Sequence, residues 1–167
     1  MFCLLDVYTM LDQKHFERFD DLIDFDPQLL NSLRNWHNSS LLIEVARDGK
    51  QNLFNKLLKY QQDLSVVDSD GWNVFHYVAA YRNDKSWFDG LKKYVNDGSK
   101  LKELLDQNNN LGLTSLHCAA RFDNHKNIKW LLSNGADVNA TTNGGNRADD
   151  LFGDAKTKRS IREHRDK

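Results

Sequence analysis

His117 and Cys118 are neighbours, and a thiol beside an imidazole is the smallest pairing that could make a cysteine nucleophile. Consecutive helical residues point about 100° apart, so the two side chains cannot meet if this stretch is helical. The six histidines, at 15, 37, 76, 117, 125 and 164, never fall at metal-ligand spacing with a cysteine or with one another. Cys3 and Cys118 are too few and too far apart for a disulfide framework or a metal knuckle. No Gly-x-x-x-x-Gly-Lys loop or Gly-x-Gly-x-x-Gly fingerprint occurs, and Asn143-Gly144-Gly145-Asn146 has the composition of a turn rather than a phosphate cradle. No catalytic residue, metal ligand or cofactor is therefore expected.

The elements that carry these residues are set by a repeat. Asp68 to Ala79 aligns without gaps on Asn109 to Ala120, each stretch running from a turn glycine (Gly71, Gly112) through Asn73 or Thr114 and His76 or His117 into alanine. Asn73 and Thr114 are 41 residues apart, but 33 residues before Asn73 stands Ser40, followed by Leu41 to Gly49 in the same slots. The unit is thus 33 residues long, once enlarged by about eight. Ser40, Asn73 and Thr114 suit helix N-caps, Ala79-Ala80 and Ala119-Ala120 allow close helix approach, and Leu57-Leu58 and Leu131-Leu132 give a second helix its apolar stripe. Gly135 fits a helix end that needs positive φ. His76 and His117 recur at one slot, which points to hydrogen bonding in the turn.

These residues resemble the ankyrin repeat, and Trp130 to Ala140, with Gly135-Ala136-Asp137-Val138-Asn139-Ala140, matches the end of that family's unit almost letter for letter. The resemblance covers at least residues 38–147. It implies an all-α fold: an ankyrin-repeat solenoid of stacked helix-turn-helix units with β-turn or hairpin fingers. The expected single domain over 1–167 comprises an N-terminal capping unit at 1–37, repeats at 38–70, 71–111 and 112–144, and a C-terminal capping unit at 145–167. The insertion, near 96–104, is expected to extend or break the second helix of repeat two, with a protruding loop where Asn96 to Ser99 interrupts it before Lys100 to Leu105 resumes. In the first cap, Leu4–Leu11 and Phe16–Ile23 are the expected helices; in the last, Ala155–Arg165 has little besides Ile161 to bury. Proline is missing from the family's turn slot in all three repeats, and Ile43 replaces the first histidine.

With 23 basic and 24 acidic residues the net charge is -1, which gives no long-range pull toward nucleic acid or anionic lipid. No segment approaches the roughly 20 apolar residues of a membrane span, and the amino terminus lacks the basic region of a signal peptide. The expectation is an intracellular protein, cytoplasmic or nuclear, monomeric on its own, with no membrane and no nucleic-acid partner. The basic residues of 156–167 are interleaved with acids and read as a solvated terminal helix.

What the resemblance implies for function is a surface that binds another protein through the fingers and inner helices. Carried over slot by slot, the candidate residues are Trp36 and His37, then Ser69, Asp70, Trp72, Tyr81 and Arg82, then Asn110, Leu111, Leu113, Arg121 and Phe122, with Asn143 and Asn146 continuing the row. Trp, Tyr and Arg are the types that carry binding hot spots. Trp87 and Trp130 fall in second helices and are expected in the core. An alternative is an inhibitor resembling short viral homologues of the inhibitor of NF-κB, or a pathogen ankyrin effector acting on a host protein. Leu131-x5-Asp137-Val138-Asn139 also resembles sites of asparaginyl hydroxylation, which makes Asn139 a candidate for that modification.

Overall fold

In the computed structural model of this chain, residues 32, 34–35, 37–60, 62–95, 97–151 and 153–166 are described. The expected helices of the N-terminal cap, and Trp36, lie outside the described residues. Each finger turns on one residue with left-handed backbone: the Gly71, Gly112 and Gly145 amides (φ 79°, 76° and 77°) donate to Asp68, Asn109 and Thr142 carbonyls at 2.9–3.0 Å. Asn38 (φ 60°) does the same in the first finger, donating to the Asn35 carbonyl at 3.0 Å. Asparagine is the non-glycine residue best suited to that conformation. The side chain at the start of each turn locks it: Asp68 Oδ1 accepts from the amides of Asp70 and Trp72, and Asn109 Oδ1 from those of Leu111 and Leu113, all at 2.9 Å.

Behind the fingers run helix pairs. The first is α1 (Leu41–Asp48) and α2 (Gln51–Leu57, prolonged by a 3-10 turn at Leu58–Tyr60). The second is α3 (Val74–Tyr81) and α4 (Ser86–Lys92), the third α6 (Ser115–Arg121) and α7 (His125–Ser133). The chain closes with the single turn α8 (Ala148–Leu151) and with α9 (Ala155–Arg165). Ser40 Oγ and Asn73 Oδ1 accept from the amides of Ile43 and His76 at 3.3 and 3.0 Å, as N-caps should. First helix packs on first helix, α3 lying between α1 and α6, with Ala79, Ala80, Ala119 and Ala120 buried at these approaches. The described residues form helices with isolated bridges between finger strands and no sheet, so the expected all-α solenoid is what the chain builds.

The second helix of repeat two is broken, as expected: α4 stops at Lys92, and the insertion forms α5 (Gly98–Asp106), which starts earlier than expected and buries Leu101, Leu104 and Leu105 at 4%, 3% and 0% exposure. Three leucines on one helical face must be covered, and a loop could not cover them. Asn73 Nδ2 fixes the end of α5 by donating to the Leu104 carbonyl at 3.1 Å and to Gln107 Oε1 at 2.9 Å.

Two aromatic pairs join neighbouring units, and a third, Phe75 with Phe88, ties the two helices of the second unit. Trp87 packs on Phe54 at 4.7 Å, Phe88 on Phe75 at 6.2 Å, and Trp130 stacks on Phe88 at 4.6 Å while its indole N–H donates to Asp89 Oδ1 at 2.7 Å. Both tryptophans are buried, as their slots imply. At the carboxyl end Asp149 is 1% exposed and accepts from Arg162 Nε at 2.8 Å and Arg165 Nη1 at 3.1 Å. Burial pushes its carboxyl up, but the two guanidiniums outweigh this and hold it below the ordinary range.

Consecutive fingers are bonded edge to edge. The amides of Ser69, Asn110 and Asn143 donate to the carbonyls of His37, Asp70 and Leu111 at 2.8, 3.0 and 3.1 Å. Asparagine side chains double the link: Asn110 Nδ2 donates to the Ser69 carbonyl and Asn143 Nδ2 to the Asn110 carbonyl, both at 3.0 Å. A Cβ on Gly112 would lie 2.5 Å from the Asn143 nitrogen, whereas one on Gly145 would meet nothing within 4 Å. Both glycines are left-handed, so Gly145→Ala should cost about 1 kcal/mol from backbone strain alone. Gly112→Ala should cost at least about 2 kcal/mol more, because it also forces the fingers apart. Urea unfolding of the two variants checks this, and equal losses would mean the finger link carries no stability.

Candidate protein-binding surface

The inner face carries a continuous aromatic strip. The Trp72 ring lies 5.2 Å from Tyr77, which stacks on Tyr81 at 6.0 Å; Tyr81 meets Phe122 of the next unit at 5.5 Å. Tyr77 and Tyr81 are four residues apart on α3 and so share a face. Tyr77 donates its hydroxyl to Asp68 Oδ2 at 2.6 Å, and burial together with that carboxylate keeps the phenol protonated far above its ordinary range. The bond fixes the strip to the finger. Tyr81 and Phe122 remain 47% and 44% exposed, and Leu111 at the third fingertip is 64% exposed. Trp72 is half-buried, packed against the core.

The repeated geometry beneath the strip is built by the two histidines. His76 is fully buried; its Nδ1 accepts from the Asn73 amide at 3.2 Å, and its Nε2 donates to the Leu113 carbonyl of the next finger at 2.9 Å. His117 repeats this: Nδ1 faces the Thr114 amide at 3.3 Å and hydroxyl at 3.0 Å, and Nε2 donates to the Asn146 carbonyl at 3.2 Å. A ring that accepts at Nδ1 and donates at Nε2 is neutral, and burial favours that form of both rings. Burial pulls His76 down to about 4, against which its backbone partners work only partly, and it lowers His117 in the same direction. Cys118 is 1% exposed, and burial pushes its thiol up to about 12, so it is a packing residue rather than a nucleophile. Among the described residues no three histidine, cysteine or acidic side chains gather as a metal site.

A family model described as ankyrin repeats, in three copies, matches residues 41–142. The chain belongs to the ankyrin-repeat family. It is 35% identical over 98 residues to human ankyrin repeat and SOCS box protein 3, covering 59% of this chain and 18% of that protein. The cattle counterpart is 34% identical over the same length. The fruit-fly transient receptor potential cation channel subfamily A member 1 is 27% identical over 107 residues, 64% of this chain and 9% of the channel. The chain thus spans less than a fifth of the length of these curated relatives. Among the described residues, no helix is long and apolar enough to cross a membrane.

Within this ankyrin scaffold the row expected from sequence is only partly a surface. Leu113 is a correction: it is 4% exposed, its carbonyl takes the His76 bond, and it belongs to the core. Arg82 is spent on the end of α1, its Nε donating to the Ala46 carbonyl at 3.0 Å and its Nη2 to that of Arg47, with the guanidinium 5.7 Å from the Trp87 ring. Asn110 and Asn143 hold fingers together, and Asn146 is half-buried beside His117. Ser69, Asp70 and His37 are exposed on the fingers, Arg121 is exposed beside Phe122, and Trp36 lies outside the described residues. Tyr77 was not expected, because slot transfer looked only at fingertips and at positions after the alanines; its spacing to Tyr81 was the available signal. Asn124 and Asn127 were also missed: their amides donate to the Ala79 carbonyl at 2.7 Å and the Val78 carbonyl at 3.1 Å, closing the end of α3 from the next unit.

The buried neutral histidines give a pH dependence. His76 is depressed in the folded chain, so between about 6.5 and about 4 the unfolded chain binds a proton that the folded chain does not. Stability is therefore complete above that window and falls as pH drops through it, by on the order of 3 kcal/mol for His76 at its acid end. Thermal melts from neutral pH to about pH 4 should show a steady decline, and nuclear magnetic resonance should find the His76 ring still neutral at pH 5. A protonated ring there would refute the assignment.

Proposed function

We propose that this chain is a non-catalytic module that binds another protein through its fingers and inner helices. Ankyrin repeats are generally protein–protein interaction modules, and three of them span the greater part of the described chain. The observation that carries the reading is the strip from Trp72 to Phe122, in which two adjoining rings from different repeats stand nearly half exposed. Leaving apolar rings side by side in water is costly, and covering them with a partner recovers that cost. Tyrosine is well suited to this because two side-chain torsions are all it must fix. Here the stack of rings has already restricted them, so little ordering entropy is lost on docking.

Ser69, Asp70, Leu111 and Arg121 border this strip in the proposed interface, with Asn143 and Asn146 at its far end. Trp72 contributes its free edge; since its ring also packs against the core, Trp72→Ala would mix a binding loss with a folding loss. Tyr81→Ala combined with Phe122→Ala is the cleaner test. A partner recovered by affinity capture on the wild type and then purified should bind the double variant at least about thirtyfold more weakly, as for loss of about 2 kcal/mol of hot-spot energy. The circular dichroism melt should stay within a few degrees of wild type. Unchanged affinity in a folded double variant would move the interface elsewhere.

We also propose Asn139 as a modification site, because it is exposed in the turn after α7 and, among the described residues, only its backbone amide is held, by Asp137 Oδ1 at 2.9 Å. Incubation with an asparaginyl hydroxylase should add one oxygen to the peptide that contains it, and not to the Asn139→Gln variant; no gain in wild type would remove the proposal.

A further inference from the structure

The face opposite the aromatic strip has the other character. The second helices with their flanking residues, 51–60, 84–93 and 125–133, carry seven lysines against two aspartates, Asp84 and Asp89, and no arginine or glutamate. A chain of net charge -1 has therefore gathered nearly a third of its 23 basic residues on three short segments of one side. Between α4 and α7 this face opens a groove of about 540 Å³ lined by Asp84, Lys85, Lys126, Lys129, Trp130 and Ser133.

Three of the six lining residues are exposed lysines, and none of the three forms an ion pair among the described residues. Lys126 and Lys129 stand one helical turn apart on α7 and so share a face, where like charges repel. Among the described lining residues the one carboxylate, Asp84, is occupied by the Ser86 amide at 3.0 Å and faces Lys126 and Lys85. One aspartate cannot neutralise three ammonium groups, and the positive excess is open to a ligand.

We propose that this groove docks an acidic polypeptide segment, one carrying clustered glutamate or aspartate side chains, independently of the aromatic strip. Charge complementarity sets the sign of the ligand, and its class follows from what the face lacks. Binding of single-stranded nucleic acid uses aromatic or guanidinium planes on which bases stack. The three segments hold no arginine, and their tryptophans, Trp87 and Trp130, are 4% and 8% exposed, with Trp130 already stacked on Phe88. A membrane surface calls for protruding apolar groups beside the lysines. Of the exposed large hydrophobics among the described residues, Tyr81, Tyr94, Leu111 and Phe122, none lines this groove, and the single ring of Tyr94 stands in a neighbouring recess beside Lys59 and Lys93. What remains is a recess of point-charge donors, matched by carboxylates on a narrow extended chain.

The test is fluorescence anisotropy of a fluorescein-labelled peptide of alternating glutamate and serine, titrated with the whole chain. Wild type should bind it, and the affinity should fall at least about tenfold between about 50 and 200 mM salt, as surface charge pairing requires. Lys126→Glu with Lys129→Glu should abolish binding, while Lys156→Glu with Lys158→Glu, the same change in net charge placed on α9, should leave it within about twofold. Should the charge reversal unfold the chain, Lys126→Gln with Lys129→Gln replaces it, with at least a tenfold loss expected. Three results would overturn the proposal: no binding by wild type, equal losses in the α7 and α9 variants, or tighter binding of a thymidine oligonucleotide or of phosphatidylserine-containing vesicles than of the peptide. The Tyr81/Phe122 double variant should bind the peptide as wild type does, so this groove and the inner strip can fail separately.

Discussion

The backbone bond from each finger to the next is the constraint on which the other features depend. Ser69 to His37, Asn110 to Asp70 and Asn143 to Leu111 are single amide–carbonyl contacts, yet they fix the register of entire units. At the second and third fingers the approach leaves no room for a side chain, since a Cβ on Gly71 or Gly112 would lie under 3 Å from the next finger's main chain, whereas the first finger makes the same bond with Asn38 at its turn. Once that register is set, His76 and His117 reach the carbonyls of Leu113 and Asn146, and Tyr81 falls beside Phe122 although 41 residues separate them. A solenoid gains its stability from such nearest-neighbour terms, repeated along the stack.

The same stacking sorts side chains by chemistry onto two faces. First helices turn their alanines toward one another and leave Trp72, Tyr77, Tyr81 and Phe122 as a strip on the inner side. Second helices bury an aromatic core through Phe54, Trp87, Phe88 and Trp130 and turn lysines outward. The polar groups between units are almost all structural. Arg82 closes the end of α1 and Asn124 and Asn127 close the end of α3, so the carbonyls that a helix leaves unsatisfied are met by the following repeat. A rigid scaffold with its backbone groups satisfied internally can offer its aromatic strip without rearranging, and that makes a binding role physically economical.

The repeat period, the N-caps, the turn glycines and the core tryptophans were legible from residue types alone, because each reflects a local rule of backbone or of burial. Asn38 was not, since asparagine takes left-handed backbone less often than glycine and the first finger offered no glycine to align. The break in the second helix of repeat two was legible because Asn96 to Ser99 looks like a breaker, but the helix that resumes begins at Gly98, inside that stretch, and buries leucines 101, 104 and 105. Leu113 and Arg82 were misjudged for one reason: a slot that is variable in a family does not say whether its occupant in this chain faces water, a helix end or the next finger.

What the sequence determined by itself was the unit: its length, its two helices, its turn, and the presence of apolar and small residues at spacings that a helix converts into faces. Those are properties of neighbours along the chain, governed by torsion angles and periodicity. Only the tertiary structure decided which residues from different units meet, that four rings make one strip while Leu113 sinks beneath it, and that scattered lysines share one groove. Side chains 33 or 41 positions apart become neighbours through inter-unit packing, and the distance between them depends on register and helix orientation, which no local rule contains.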